Sequence, residues 1–144
     1  MKKSFFVPLL VPVLFLCSGC PDPDKCDVHF KPSDPFTLGQ GQVACSDDDG
    51  RFSIRFDSVS GDSRCPVGVQ CIWAGRADAA LTMSVGGTSQ SVVLAAGDLG
   101  QGGTNETTFE GYTIRLESIE PPAREGSRIE QKDYKIGMRV VRGQ

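Results

Sequence analysis

The residues with chemical potential in this chain are its cysteines, its one histidine and its carboxylates. Six cysteines stand at positions 17, 20, 26, 45, 65 and 71, and the only histidine is His29. A hydrolytic triad needs a base beside its nucleophile, most often histidine. His29 is isolated in a proline-rich N-terminal stretch, and no serine has a G-x-S-x-G context. The 18 acidic residues could supply a glycosidase pair, but such a pair needs a deep cleft, which a domain this small does not readily form. No enzyme is expected, and no catalytic residue is named. Cys26, His29 and Cys45 could offer soft ligands to a metal, an alternative that predicts free thiols. Against it stands a Cys26–Cys45 disulfide beside a solvated His29, which an oxidising compartment favours. No metal and no cofactor are therefore expected. Asp47-Asp48-Asp49-Gly50 lacks the alternating ligands and distal bidentate glutamate of a calcium loop and reads as a turn. The glycine-rich stretch from Gly97 to Gly103 lacks the lysine of a phosphate loop.

The elements that position these residues begin after a targeting segment. Lys2 and Lys3 precede an apolar run from Phe5 to Leu16, broken by Pro8 and Pro12, and the small residues Ser18 and Gly19 follow. That order is a secretory signal, and the run is too short and too rich in proline to span a bilayer. Leu16-Cys17-Ser18-Gly19-Cys20 resembles the bacterial lipobox, with Cys17 standing where the motif usually has leucine. The resemblance implies that residues 1–19 are removed and that Cys20 carries the lipid, palmitate included, as the new N-terminus. The alternative is an ordinary signal peptide. Several acyl chains hold a protein firmly where one does so only marginally. The expected address is the bacterial cell envelope, outside the cytoplasm. Pro21 follows Cys20 where an inner-membrane retention aspartate could stand, which leans the address toward the outer membrane.

Charge narrows the partners. The chain has 15 basic and 18 acidic residues, and losing Lys2 and Lys3 leaves 13 against 18, a net charge of −5. No basic run exists, so nucleic acid is not an expected partner. The membrane is met through the lipid anchor and not through the domain's own charge. A further partner is expected to be an envelope protein or surface ligand.

Residues 20–35 carry Pro21, Pro23, Pro32 and Pro35 and read as a stiff solvated tether. Residues 36–144 suffice for one core. Phe52, Ile54 and Phe56 alternate with polar neighbours, as do Tyr112, Ile114 and Leu116, and Tyr134, Ile136, Met138 and Val140. Trp73, Ala77, Ala79, Leu81, Met83 and Val85 share one parity, and Gly86-Gly87 predicts a hairpin returning through Ser91 to Ala95. Turns are expected at Asp47–Gly50, Asp98–Gly103 and Pro121-Pro122, and Glu125 to Lys132 reads as loop or a short helical turn. The fold class is all-β, a small antiparallel sandwich or barrel braced by disulfides.

Setting aside Cys17 and Cys20 leaves four cysteines and three pairings. Cys65 and Cys71 enclose a loop in which Gly68 supplies conformational freedom, so Cys65–Cys71 with Cys26–Cys45 is favoured. A crossed pair such as Cys45–Cys65 is the alternative.

The segment Asp62-Ser63-Arg64-Cys65-Pro66-Val67-Gly68-Val69-Gln70-Cys71-Ile72-Trp73-Ala74-Gly75 resembles one found in small exported bacterial proteins and lipoproteins that are generally uncharacterised. Tyr112 to Leu116, Pro121-Pro122 and Asp133-Tyr134 extend the likeness across roughly residues 36–141. It implies a shared β fold and no activity. The clamped segment has two readings. In one, the disulfide and Trp73 anchor one end of the core while Gly75 permits close packing. In the other, Pro66, Val67, Gly68, Val69 and Trp73 form a rigid exposed recognition loop. The functional expectation is a non-catalytic envelope lipoprotein whose β-domain binds a protein or surface ligand, or serves structurally. A protease inhibitor presenting the Cys65–Cys71 loop is the alternative, beside the metal-binding protein.

Overall fold

In the computed structural model, residues 25–48, 50–100 and 102–143 are described. Residues 1–19, expected to be a signal segment, and Cys20, expected to carry a lipid, lie outside the described residues. Nine strands follow in order: β1 (Val28–Phe30), β2 (Pro35–Gly39), β3 (Val43–Ser46), β4 (Phe52–Asp62), β5 (Arg76–Val85), β6 (Thr88–Gly97), β7 (Glu106–Phe109), β8 (Tyr112–Glu120) and β9 (Lys135–Arg142). They form a five-stranded sheet, β1-β3-β4-β5-β6, and a four-stranded sheet, β2-β9-β8-β7. The inner faces share one core, so the protein is all-β and sandwich-like.

Alternation explains most of the core. Phe52, Ile54 and Phe56 on β4, Ala77, Ala79, Leu81 and Met83 on β5, and Ile136, Met138 and Val140 on β9 are fully buried. The β5–β6 hairpin forms as the glycine pair predicts, with φ of 53° at Gly86 and 91° at Gly87, a region that other residues adopt at a cost. Three register shifts interrupt the period-two rule, two on β4 and one on β8. On β4 the register slips between Phe56 and Ser58 and again before Gly61, so that Val59 faces inward after Phe56. On β8 it slips between Leu116 and Ser118, carrying Ile119 inward. Each extra residue re-aims the strand that follows it.

The segment read as a tether folds further than its prolines suggest. Within it, β1 pairs with β3, in parallel and not antiparallel like the other strand pairs. Phe30 is 3% exposed. Its ring stacks on Phe36 at 4.4 Å between centroids and meets Phe52 edge-on at 6.1 Å, and Phe52 stacks on Tyr112 at 4.2 Å. Four aromatic rings thus close that end of the sandwich, and their apolar burial outweighs the local preference of Lys31-Pro32 for open chain. The core therefore starts at Phe30 and not at Phe36.

Both favoured disulfides are present, Cys26–Cys45 and Cys65–Cys71. The stretch from Glu125 to Lys132 is largely irregular, with a short 3-10 turn over Gln131–Asp133. From that turn the Gln131 amide reaches β4, accepting from the Val59 N–H at 3.0 Å and donating to the Val59 carbonyl at 2.8 Å. The side chain thereby satisfies backbone groups of β4 beyond Arg55, where its pairing with β3 has ended.

Candidate functional site

The strands β4 and β5 end together, and residues 63–75 bridge them as the clamped loop. Its base is a backbone lattice. Ser63 N–H donates to the Arg76 carbonyl at 2.8 Å, Cys65 N–H to Ala74 at 2.9 Å, and Asp98 N–H to Gly75 at 2.9 Å. Gly75 permits this approach, with φ of 67°. A Cβ there would lie 1.8 Å from the Ser63 carbonyl oxygen. Close packing at Gly75, expected from the sequence, is therefore a property of the loop's base.

Beneath the loop Arg64 acts as a bracket. Its guanidinium donates to both Asp62 carboxylate oxygens, at 2.9 and 2.7 Å, to the Pro121 carbonyl at 2.9 Å, and to the Ile119 carbonyl. The Arg64 and Asp62 side chains are 15% and 14% exposed. Tyr134 donates its hydroxyl to Asp62 Oδ2 at 2.9 Å, bringing in the chain just before β9. Burial by itself pushes the Asp62 carboxyl up, but the hydrogen bonds from Arg64 and Tyr134 outweigh it and hold the group below its ordinary range. The bond to Asp62 holds the Arg64 guanidinium above its ordinary value. Burial, and then the bond to Asp62, push the Tyr134 phenol up. A fixed fork of donors suits this bridging of a carboxylate and two carbonyls.

The loop itself turns over Pro66–Val69, closed by the Val69 N–H on the Pro66 carbonyl at 3.1 Å, with Gly68 at φ 84°. Val67 N–H ties it sideways to the Ala123 carbonyl at 2.9 Å. Above this frame the surface is apolar. Val67 is 67% exposed, Val69 37%, Ile72 93% and Trp73 72%. Four of the six large hydrophobic residues exposed among the described residues therefore lie on one short loop. Scattered exposed hydrophobics are ordinary, whereas these four share one short loop.

Pro66, Val67, Gly68, Val69 and Trp73 are brought together as a loop. The reading in which Trp73 anchors the core is corrected, because Trp73 lies in the loop ahead of β5 and its ring is largely in solvent. Ile72 was missed by the sequence reading. The available signal was its adjacency to Trp73, since two successive large residues cannot both face the core of a period-two strand.

The other sites named from the sequence are dispersed or occupied. The Cys26–Cys45 bond engages both sulfurs that the metal reading required as thiolates. His29 lies on β1 with Nδ1 3.3 Å from Asp47 Oδ1, both largely exposed. No cluster of three or more metal-ligating side chains occurs among the described residues. A groove of about 1030 Å³ crosses the outer face of the five-stranded sheet, lined by Gln42, Arg51, Ser53, Arg55 and Ser84. It has no aromatic wall, and Arg55 is already paired with Asp57 at 2.6 Å. The clamped loop is therefore the better candidate. Comparison with protein-family models, with curated proteins and with solved structures finds no match for this chain.

Proposed function

We propose that the protein is a non-catalytic lipoprotein of the bacterial envelope that presents the Cys65–Cys71 loop as a contact surface for a protein or surface ligand. The observation that carries this reading is the cluster of Val67, Val69, Ile72 and Trp73 on a loop held by a disulfide, an arginine bracket and main-chain bonds. A loop ordered before binding loses little freedom on contact. The signal segment and the lipobox-like Ser18-Gly19-Cys20 support the address, and the two disulfides suit an oxidising compartment. An inhibitory loop that enters a protease as an added strand needs extended backbone with free N–H groups. Residues 66–69 are instead turned, and the Val67 N–H is already bonded.

The test is a photo-crosslinking amino acid placed at Ile72, or at Val93 as a control, in cells expressing the full chain. Adducts at position 72, whether to protein or to lipid, and few at 93 are expected. Equal labelling at both positions would sink the reading.

A further inference from the structure

We infer that the apolar rim of the clamped loop is a second membrane contact, inserting Ile72, Trp73 and Val67 into the interfacial layer of the bilayer that holds the Cys20 lipid. The inference rests on the lipoprotein reading above and names the occupant of the same loop.

Three observations favour a bilayer over a protein. The first is area. The exposed parts of four side chains amount to on the order of 400 Å² of apolar surface concentrated on one short loop. A fluid surface accepts a patch of that size without shape complementarity. The second is composition. The rim offers aliphatic carbons and an indole, and tryptophan prefers the level of the headgroups, where its ring is sheltered and its N–H is wet. Exposed Arg124 and Glu125 follow Ala123, which is bonded to Val67, so charge of both signs flanks the rim. Contact should then depend little on anionic lipid or on salt.

The third observation is the length of chain between the lipid and the fold. Five residues lie between Cys20 and Cys26, a span of six peptide steps, so the disulfide at Cys26 stands at most about 20 Å from the membrane surface. That keeps the domain permanently at high effective concentration beside the bilayer, and even a weak apolar contact forms under those conditions. Cys45, the partner of Cys26, pairs with Ser53, and nine residues of β4 lead from Ser53 to Asp62 at the base of the loop. That path is about 30 Å long. Insertion of the loop therefore lays the strand axis within about 40° of the membrane plane. A domain standing upright on its tether would hold the loop away from the lipid.

Trp73 is the only tryptophan in the chain, so intrinsic fluorescence reads this loop alone. The lipidated mature protein is reconstituted into phosphatidylcholine vesicles, with and without bromine-bearing acyl chains, and its intact mass is measured. The Cys20→Ala chain in buffer supplies the emission of a solvated indole. The expected result is an acyl mass on the protein, emission at shorter wavelength than this control, and loss of intensity with brominated lipid. Ile72→Asp should abolish the shift and the quenching. It should leave the circular dichroism unchanged, because Ile72 is outside the core. An acylated protein whose Trp73 emission stays solvent-like and unquenched would overturn the inference and leave the loop to a protein partner. A protein without acyl mass would overturn the lipoprotein reading, and this inference with it.

Discussion

Tyr134 donates its hydroxyl to Asp62 Oδ2 at 2.9 Å, joining two residues 72 positions apart and tying the approach to β9 to the base of the clamped loop. Asp62 in turn grips Arg64, which holds the carbonyls of Ile119 and Pro121. Both sheets thus meet under the loop. Tyr134→Phe removes one hydrogen bond and should cost about 1 kcal/mol in urea unfolding. Asp62→Asn leaves Arg64 mostly buried without its counter-charge and should cost about 3 kcal/mol. A smaller loss for Asp62→Asn than for Tyr134→Phe would mean that the bracket does not hold the loop.

The same cluster sets a pH window. The Asp62 carboxyl is held below its ordinary value of 3.8, so its contribution is fully present above that value and is lost as pH falls through the lower folded value. The Tyr134 phenol is held above its ordinary value of 10.0, so its contribution is present below that value and is lost as pH rises through the higher folded value. Unfolding free energy measured against pH should therefore carry an acid limb below about 4 that is reduced in Asp62→Asn. An acid limb of equal size in both proteins would remove Asp62 as its source.

The sheets were legible in the sequence because one face of each strand is buried and the other is wet. Phe52, Ile54 and Phe56, or Ile136, Met138 and Val140, can alternate only in that setting. Three features escaped for physical reasons. Phe30 sits among prolines and charges, and only its long-range stacking on Phe36 and Phe52 draws β1 into the fold. Val59 and Ile119 follow bulges, where strict alternation assigns the wrong face. Trp73 shares parity with Ala77, but the turn carried by Gly75 breaks the strand before that parity matters. The loop was legible as a clamped segment. Its bracket was not, because Asp62, Ile119 and Tyr134 come together only through tertiary packing.

The two disulfides should differ in worth. Cys26–Cys45 spans 19 residues and Cys65–Cys71 only 6. Loop-closure entropy alone gives about 3 kcal/mol for the first and about 2 kcal/mol for the second. Cys26→Ser with Cys45→Ser also releases the chain that carries Phe30, so its loss should exceed the entropic figure. Cys65→Ser with Cys71→Ser should stay near it, since the Arg64 bracket and the main-chain bonds at the base persist. Melting temperatures of the two double variants decide the order, and a larger fall for the Cys65 pair would contradict the account.

Gly68 and Gly75 make a controlled comparison within the loop. Both have positive φ, 84° and 67°. A Cβ on Gly68 meets nothing within 4 Å, so Gly68→Ala carries only the left-handed backbone penalty of about 1 kcal/mol. A Cβ on Gly75 lies 1.8 Å from the Ser63 oxygen and must force apart the base that joins β4 to β5. Gly75→Ala should therefore cost well over about 2 kcal/mol, in the range of overpacked sites with added backbone strain. Its effect should also reach the Ser63–Arg76 and Asp98–Gly75 bonds, seen as lost amide-exchange protection at Ser63 and Asp98. Equal melting temperatures for the two variants would mean that the loop's base yields freely, and a loop on a yielding base could not present Ile72 and Trp73 as a preformed surface.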